Sequence, residues 1–110
     1  MKTVSILGVD YKIIHRTIEE DPKLADSDGY CDWTTNLIVI KKYRPESMDV
    51  ADVAKFIRAV IRHEIVHAFA FESGLAECSE WAMHEEMVDW IARQFPKMAK
   101  AFADAGVAEQ

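Results

Sequence analysis

The segment His63-Glu64-Ile65-Val66-His67 has the residue types and the spacing of the zinc-binding motif H-E-x-x-H. Residues four apart on an α-helix lie on the same face, so the two imidazoles would point in the same direction. Two imidazoles separated by one helical turn can bind a single tetrahedral ion, usually Zn²⁺. We therefore predict a zinc centre in which His63 and His67 are ligands. Glu64 would be the catalytic base that accepts a proton from water.

A catalytic zinc site needs a third protein ligand as well as a position for water. A histidine six residues after His67 is excluded, because Ser73 occupies that position. The alternative is a glutamate from a following helix, and Glu85 shares a helical face with Asp89. We expect Glu85 to be the third ligand and Asp89 to accept the free N–H of a ligating histidine. Two other residues of this stretch remain candidates for the third ligand, namely His84 and Glu86.

The two histidines lie in a stretch whose apolar residues recur at helical spacing. This periodicity predicts a long helix over residues 49–72, with Ser47 or Asp49 as its N-terminal cap and Gly74 as its stop. The apolar positions are Val53, Phe56, Ile57, Val60, Ile61 and Phe69.

The helix that would carry the third ligand is predicted over residues 79–94. Phe95-Pro96 predicts a break, because the residue before a proline disfavours helical backbone. Pro96 is then well placed as the first residue of a third helix that ends near Gly106.

The front third of the chain predicts a small antiparallel sheet of three or four strands. Residues 3–7 and 11–16 are rich in β-branched side chains and flank a turn, which indicates a hairpin. Residues 29–40 predict a second hairpin, and we expect its arm Gly29–Asp32 to form a sheet edge that could bind an extended peptide. The expected fold class is α+β, with this sheet packed on the long helix and on the ligand-bearing helix. Residues 1–110 are expected to form a single domain.

Composition narrows the class of protein. The chain has 110 residues, of which 50% are hydrophobic and 29% charged, as in a globular domain. The formal net charge of −6 argues against direct binding to nucleic acid. The apolar run at the N-terminus is too short for a signal peptide or a membrane span, so we expect a cytoplasmic protein that does not bind membranes.

Cys31 and Cys78 match no C-x-x-C motif and are expected to be reduced thiols. The three tryptophans are expected in the core or at its rim, and they are Trp33, Trp81 and Trp90.

Taken together, these residues resemble a known enzyme class. His63-Glu64-x-x-His67 with its uncharged flanks resembles the extended motif of the zincin metallopeptidases. Glu85-x-x-x-Asp89 resembles the glutamate-ligand, or gluzincin, arrangement. The overall organisation is similar to that of small phage and prophage proteins near the ImmA/IrrE metallopeptidase family. The similarity extends over residues 21–24, 29–32, 63–75, 88–92 and 95–97.

The resemblance implies a minimal zincin fold with one Zn²⁺ and an endopeptidase activity on an intracellular protein. Some relatives cleave a repressor encoded beside them, so a regulatory protein of the repressor type is the implied substrate. The larger members carry a separate substrate-binding or DNA-binding domain, and we expect none within these 110 residues. The alternative is a zinc-stabilised binding module that sequesters a regulatory protein without cleaving it. The donor that would stabilise the oxyanion stays open among His15, Tyr30, Tyr43 and His84.

Overall fold

A computed structural model describes residues 1–43 and 50–109. The fold is α+β, as predicted, with a four-stranded sheet and three α-helices. The strands are β1 (Lys2–Ile6), β2 (Val9–Arg16), β3 (Gly29–Asp32) and β4 (Leu37–Lys41). The helices are α1 (Val53–Glu72), α2 (Leu75–Cys78) and α3 (Glu85–Asp104), and short 3-10 helices cover Pro22–Ala25 and Glu80–Met83. Within the described ranges, each helix is too short or too polar to cross a lipid bilayer.

The sheet joins two hairpins in the order β1-β2-β4-β3. Both hairpins are antiparallel, as predicted, and the first one turns through Leu7 and Gly8, whose φ angles of 50° and 86° are left-handed. The central pair β2 and β4 is parallel, with Ile13 opposite Ile38, so the prediction of a wholly antiparallel sheet is wrong. Local residue patterns define each hairpin, whereas the connection from β2 to β3 decides which strand the second hairpin presents to the first. The strand β3 lies at the edge, where we expected it.

The sheet buries its apolar face against α1, and α3 packs on another side of α1. Alternate residues of the two central strands point into this core, because side chains of a strand alternate between its faces. The buried core cluster comprises Ile6, Tyr11, Ile13, Ile38, Ile40, Val60 and Ala68.

Helix α1 begins after a polar capping residue and ends before a glycine, both close to the predicted positions. Asp52 is its N-cap, and its Oδ1 accepts a 2.9 Å hydrogen bond from the backbone N–H of Lys55. The predicted caps Ser47 and Asp49 lie outside the described residues. At the other end Gly74 has a φ of 82°, which a glycine adopts without steric cost, so the predicted stop is confirmed.

Helix α3 corrects two predictions about the C-terminal third. It starts at Glu85 rather than at residue 79, because His84 has extended backbone and caps the helix. It also continues through Pro96, where a break was predicted. A proline inside a helix leaves the carbonyl four residues earlier without its usual partner. Here that carbonyl, on Ala92, accepts a 2.6 Å hydrogen bond from Nε of Arg62 on α1.

Candidate metal centre

Helix α1 presents His63 and His67 on one side, as their spacing requires. The two imidazole rings meet edge to face, with centroids 4.9 Å apart and planes inclined by 66°. His67 is buried, and burial lowers its pKa, although the nearby Glu85 carboxylate opposes this shift. Burial therefore favours the neutral imidazole, which is the form that binds metal ions.

Glu85, the first residue of α3, reaches both histidines. One carboxylate oxygen lies 3.1 Å from Nε2 of His63, and the other lies 2.8 Å from Nε2 of His67. One nitrogen from each imidazole and one oxygen of this carboxylate all lie within 4.8 Å of one another. Ligand atoms about 2.0–2.2 Å from a tetrahedral Zn²⁺ would be about 3.4 Å apart. The spacing of this group therefore fits such an ion after small side-chain adjustments.

The other two candidates for the third ligand lie outside this group. Within residues 1–43 and 50–109, the cluster of metal-binding side chains comprises His63, His67 and Glu85. Glu86 and His84 are exposed neighbours of Glu85 in the chain. The structure thus brings together the three residues that were favoured as ligands.

Asp89 lies one turn after Glu85 and contacts the other nitrogen of His63. Its Oδ1 is 3.4 Å from Nδ1 of His63, and its Oδ2 accepts a 2.7 Å hydrogen bond from Nε of Arg93. A proton on Nδ1 would point toward this carboxylate and leave the Nε2 lone pair directed toward Glu85. Asp89 is therefore where an orienting partner of a metal-binding histidine should be.

Glu64 is buried beside the two histidines, and 6% of its surface is exposed. Burial raises the pKa of its carboxyl to about 7, and the Glu85 carboxylate adds to the rise while His63 opposes it. A carboxyl that titrates near neutral pH can both accept and release a proton there. This property suits the role that the H-E-x-x-H motif predicts for Glu64.

A cleft of about 240 Å³ opens over these residues. On one side it is bounded by the start of the edge strand β3, where Gly29 lies against α1. A Cβ atom on Gly29 would lie 2.8 Å from the carbonyl oxygen of Val39 on β4, so glycine permits the close pairing of these two strands. The same Cβ atom would lie 3.4 Å from Cγ1 of Val60, which is an ordinary contact with α1. The cleft is lined by Ser27, Asp28, Gly29, Phe56, Ala59, Val60, His63, Glu64, Glu85, Asp89 and Arg93.

The four residues considered as oxyanion donors lie in different parts of the structure. Tyr30 donates its hydroxyl proton to Asp21, and His15 is exposed on β2. Tyr43 donates to Asp28, which lines the cleft. His84, the N-cap residue of α3, is exposed and directly precedes Glu85.

Sequence reasoning missed two side-chain contacts, one at the metal centre and one between α1 and the loop after β3. Arg93 forms an ion pair with Asp89, and Trp33 stacks on Phe71 with ring centroids 6.1 Å apart. Helical spacing would have placed Arg93 next to Asp89 and Phe71 next to His67, because each lies four residues further along. It would not have identified the contact between Phe71 and Trp33. Comparisons of the chain with known protein families, with curated proteins and with solved structures find no match.

Proposed function

We propose that this chain is a small zinc-dependent endopeptidase with a minimal zincin architecture, akin to the ImmA/IrrE metallopeptidases. One observation carries the proposal. Two histidines of α1 and the first carboxylate of α3 converge within 4.8 Å beside a buried glutamate. The placement of β3, Gly29 and the cleft next to this group supports a site that is open to a polypeptide.

In this proposal each residue of the site has a separate role. His63, His67 and Glu85 hold Zn²⁺, which would polarise the peptide carbonyl and acidify water. Glu64 accepts a proton from the attacking water and passes it to the departing amine, a role that suits its buried position beside the two histidines. Asp89 keeps the ring of His63 in the tautomer and the orientation that binding requires.

The substrate we propose is an extended segment of an intracellular regulatory protein, of the repressor type. The outer edge of β3 offers backbone groups that can pair with such a segment, so that it would lie along the cleft as a fifth strand. A strand held in this way would present one of its carbonyl groups to the metal centre.

The test compares zinc content with hydrolysis of a peptide library, followed by mass spectrometry. Wild type should bind about one zinc ion per chain and cleave some of the peptides. Glu64→Gln should keep the zinc and lose about 10²–10⁴-fold in rate, because the base is removed and the ligands are not. His67→Ala should lose both zinc and activity. Glu77→Gln, which changes an exposed glutamate on α2, is the matched control and should behave as wild type.

Two results would decide against the enzyme. A wild-type protein that binds zinc and peptides but cleaves none of them would instead be the sequestering module. A wild-type protein that binds no zinc would contradict both the zinc endopeptidase and the zinc-stabilised binding module.

A further inference from the structure

Trp33 is a large apolar side chain that the fold leaves open to solvent. It directly follows the edge strand β3, and 50% of its surface is exposed. Its indole lies on the ring of Phe71, with an interplanar angle of 26°. Together, Trp33 and Phe71 form the aromatic pair.

The aromatic pair lies on the same side of α1 as the metal centre. Phe71 follows His67 by four residues, so the two side chains are neighbours along one helical face, about 5–6 Å apart at Cβ. The strand β3 runs in the same direction as α1, from Gly29 beside Val60 to the loop that carries Trp33. The aromatic pair therefore lies beyond His67, at the end of β3 that is opposite to the Gly29 end of the cleft.

The loop that carries Trp33 is held by its own polar side chains. Oδ1 of Asp32 accepts hydrogen bonds of 3.0 Å and 2.5 Å from the backbone N–H and the hydroxyl of Thr34. Nδ2 of Asn36 donates a 3.2 Å hydrogen bond to the carbonyl oxygen of Trp33, and Asn36 itself has a left-handed φ of 54°. Binding to a surface that is already ordered loses less conformational entropy than binding to a mobile loop.

We propose that the aromatic pair binds an aromatic or large apolar side chain of the peptide substrate, next to the bond that is cleaved. This inference rests on the proposed endopeptidase function and specifies its substrate class. A peptide paired with the edge of β3 passes Trp33 as it leaves the metal centre. Because strand side chains alternate between faces, one of its residues near the scissile bond would point at the indole. An apolar ring there gains from burial and from offset stacking.

The experiment measures binding rather than turnover. Phosphinic peptides, in which a phosphinate replaces the scissile peptide bond, bind zinc through that group. Two series carry Phe or Ala next to the phosphinate, one on the amino side and one on the carboxyl side. Dissociation constants are measured for the zinc-loaded wild type, Trp33→Ala and Trp90→Ala. Trp90 lies on α3 with 54% of its surface exposed, so it is a matched control for loss of an exposed indole.

In one of the two series, wild type should bind the Phe peptide about 10-fold more tightly than the Ala peptide, as burial of part of one ring predicts. Trp33→Ala should reduce this ratio to about 2-fold or less, and Trp90→Ala should leave it at the wild-type value. Trp33→Phe should keep part of the preference, because a smaller ring remains.

The outcomes separate this inference from the proposed activity. A preference for Phe that survives in Trp33→Ala, or no preference in wild type, overturns the role of the aromatic pair and leaves the endopeptidase standing. A preference that depends on Trp33, in a protein that cleaves no peptide, supports the aromatic pair and overturns the enzyme. A zinc-loaded protein that binds none of the phosphinic peptides overturns the aromatic pair together with the peptide-accessible metal site that the proposed endopeptidase needs.

Discussion

The hydroxyl of Tyr11 donates a 2.7 Å hydrogen bond to Oε1 of Glu72, which joins β2 to the last residue of α1. The residues are 61 positions apart in the chain. Tyr11 is fully buried in the core, and burial, together with this bond, raises the pKa of its hydroxyl. The bond fixes the C-terminal end of α1 against the sheet, and the same helix carries both histidines of the metal centre.

Replacing Tyr11 with Phe should lower the free energy of unfolding by about 1–3 kcal/mol, because a partly buried carboxylate loses its donor. Urea denaturation of Tyr11→Phe, Glu72→Ala and the double variant measures the coupling between the two residues. We expect the double variant to be more stable than the sum of the single effects implies. Strictly additive effects would show that this hydrogen bond contributes nothing to stability.

The third ligand can be identified by comparing two neighbouring glutamates. Glu85→Gln should lower zinc content strongly, because its carboxylate oxygens lie 3.1 Å and 2.8 Å from the two histidine nitrogens. Glu86→Gln should retain zinc at the wild-type level, since that exposed side chain lies outside the cluster. Metal analysis of both purified variants provides the measurement. Loss of zinc from Glu86→Gln but not from Glu85→Gln would show that Glu86 is the third ligand.

The contact between Asp89 and His63 predicts an effect on affinity rather than on stoichiometry. Asp89→Asn should weaken zinc binding by about 10–100-fold, as expected when a partner that orients a ligating histidine is lost. Competition with a chelator of known affinity measures this change. Asp104→Asn is the control, because Asp104 pairs with Lys100 on the same helix and away from the centre. Equal affinities for all three proteins would contradict the role of Asp89.

The elements that sequence reasoning predicted well are those encoded by local spacing. The two hairpins follow from short β-rich runs and turns, and the glycine stop of α1 follows from Gly74. The parallel pairing of β2 with β4 could not be predicted, because it depends on how a long connection returns the chain. The continuation of α3 through Pro96 could not be predicted either, since the compensating donor Arg62 comes from another helix.

In the candidate site, too, local spacing predicts some of the contacts and the packing of helices and strands determines the others. His63 and His67 share a face by virtue of their spacing, so the sequence alone brought them together. Glu85 was favoured because it shares a helical face with Asp89, but its approach to both histidines depends on how α3 packs on α1. The stacking of Trp33 on Phe71 joins a hairpin loop to a helix, and no local pattern encodes it. All three tryptophans, expected in the core or at its rim, are at least half exposed.

The two free cysteines should differ in reactivity. Cys31 is half-buried in β3, and burial, with smaller contributions from the charges of Glu64 and Asp32, raises the pKa of its thiol to about 12. Since the thiolate is the reactive form, iodoacetamide should modify Cys31 far more slowly than the exposed Cys78 at pH 8. Mass spectrometry of digested protein at successive times gives both rates, and Cys78→Ser isolates the slow one. Comparable rates in the folded protein would contradict the burial of Cys31.

Asp21 should make stability depend on pH in the acid range. The hydroxyl of Tyr30 donates to this carboxylate, and Arg16 lies 3.2 Å away, so the pKa of Asp21 is held below its ordinary value of about 3.9. A carboxyl whose pKa is lower in the folded state stabilises the fold above its unfolded pKa. That stabilisation is lost as the pH falls through the folded value. Wild type should therefore be more stable than Asp21→Asn at pH 7.

The difference in stability should shrink as the pH falls below about 3.9, because the carboxyl of the unfolded chain is protonated first and that of the folded protein only as the pH passes through its lower pKa. Urea midpoints of wild type and Asp21→Asn, measured from pH 7 to pH 2, follow this change. Asp26→Asn serves as the control, because Asp26 is an exposed aspartate just after the 3-10 helix that Asp21 caps, and its effect should be small throughout. A gap between wild type and Asp21→Asn that stays constant or widens toward acid would mean that the charge of Asp21 does not stabilise the fold.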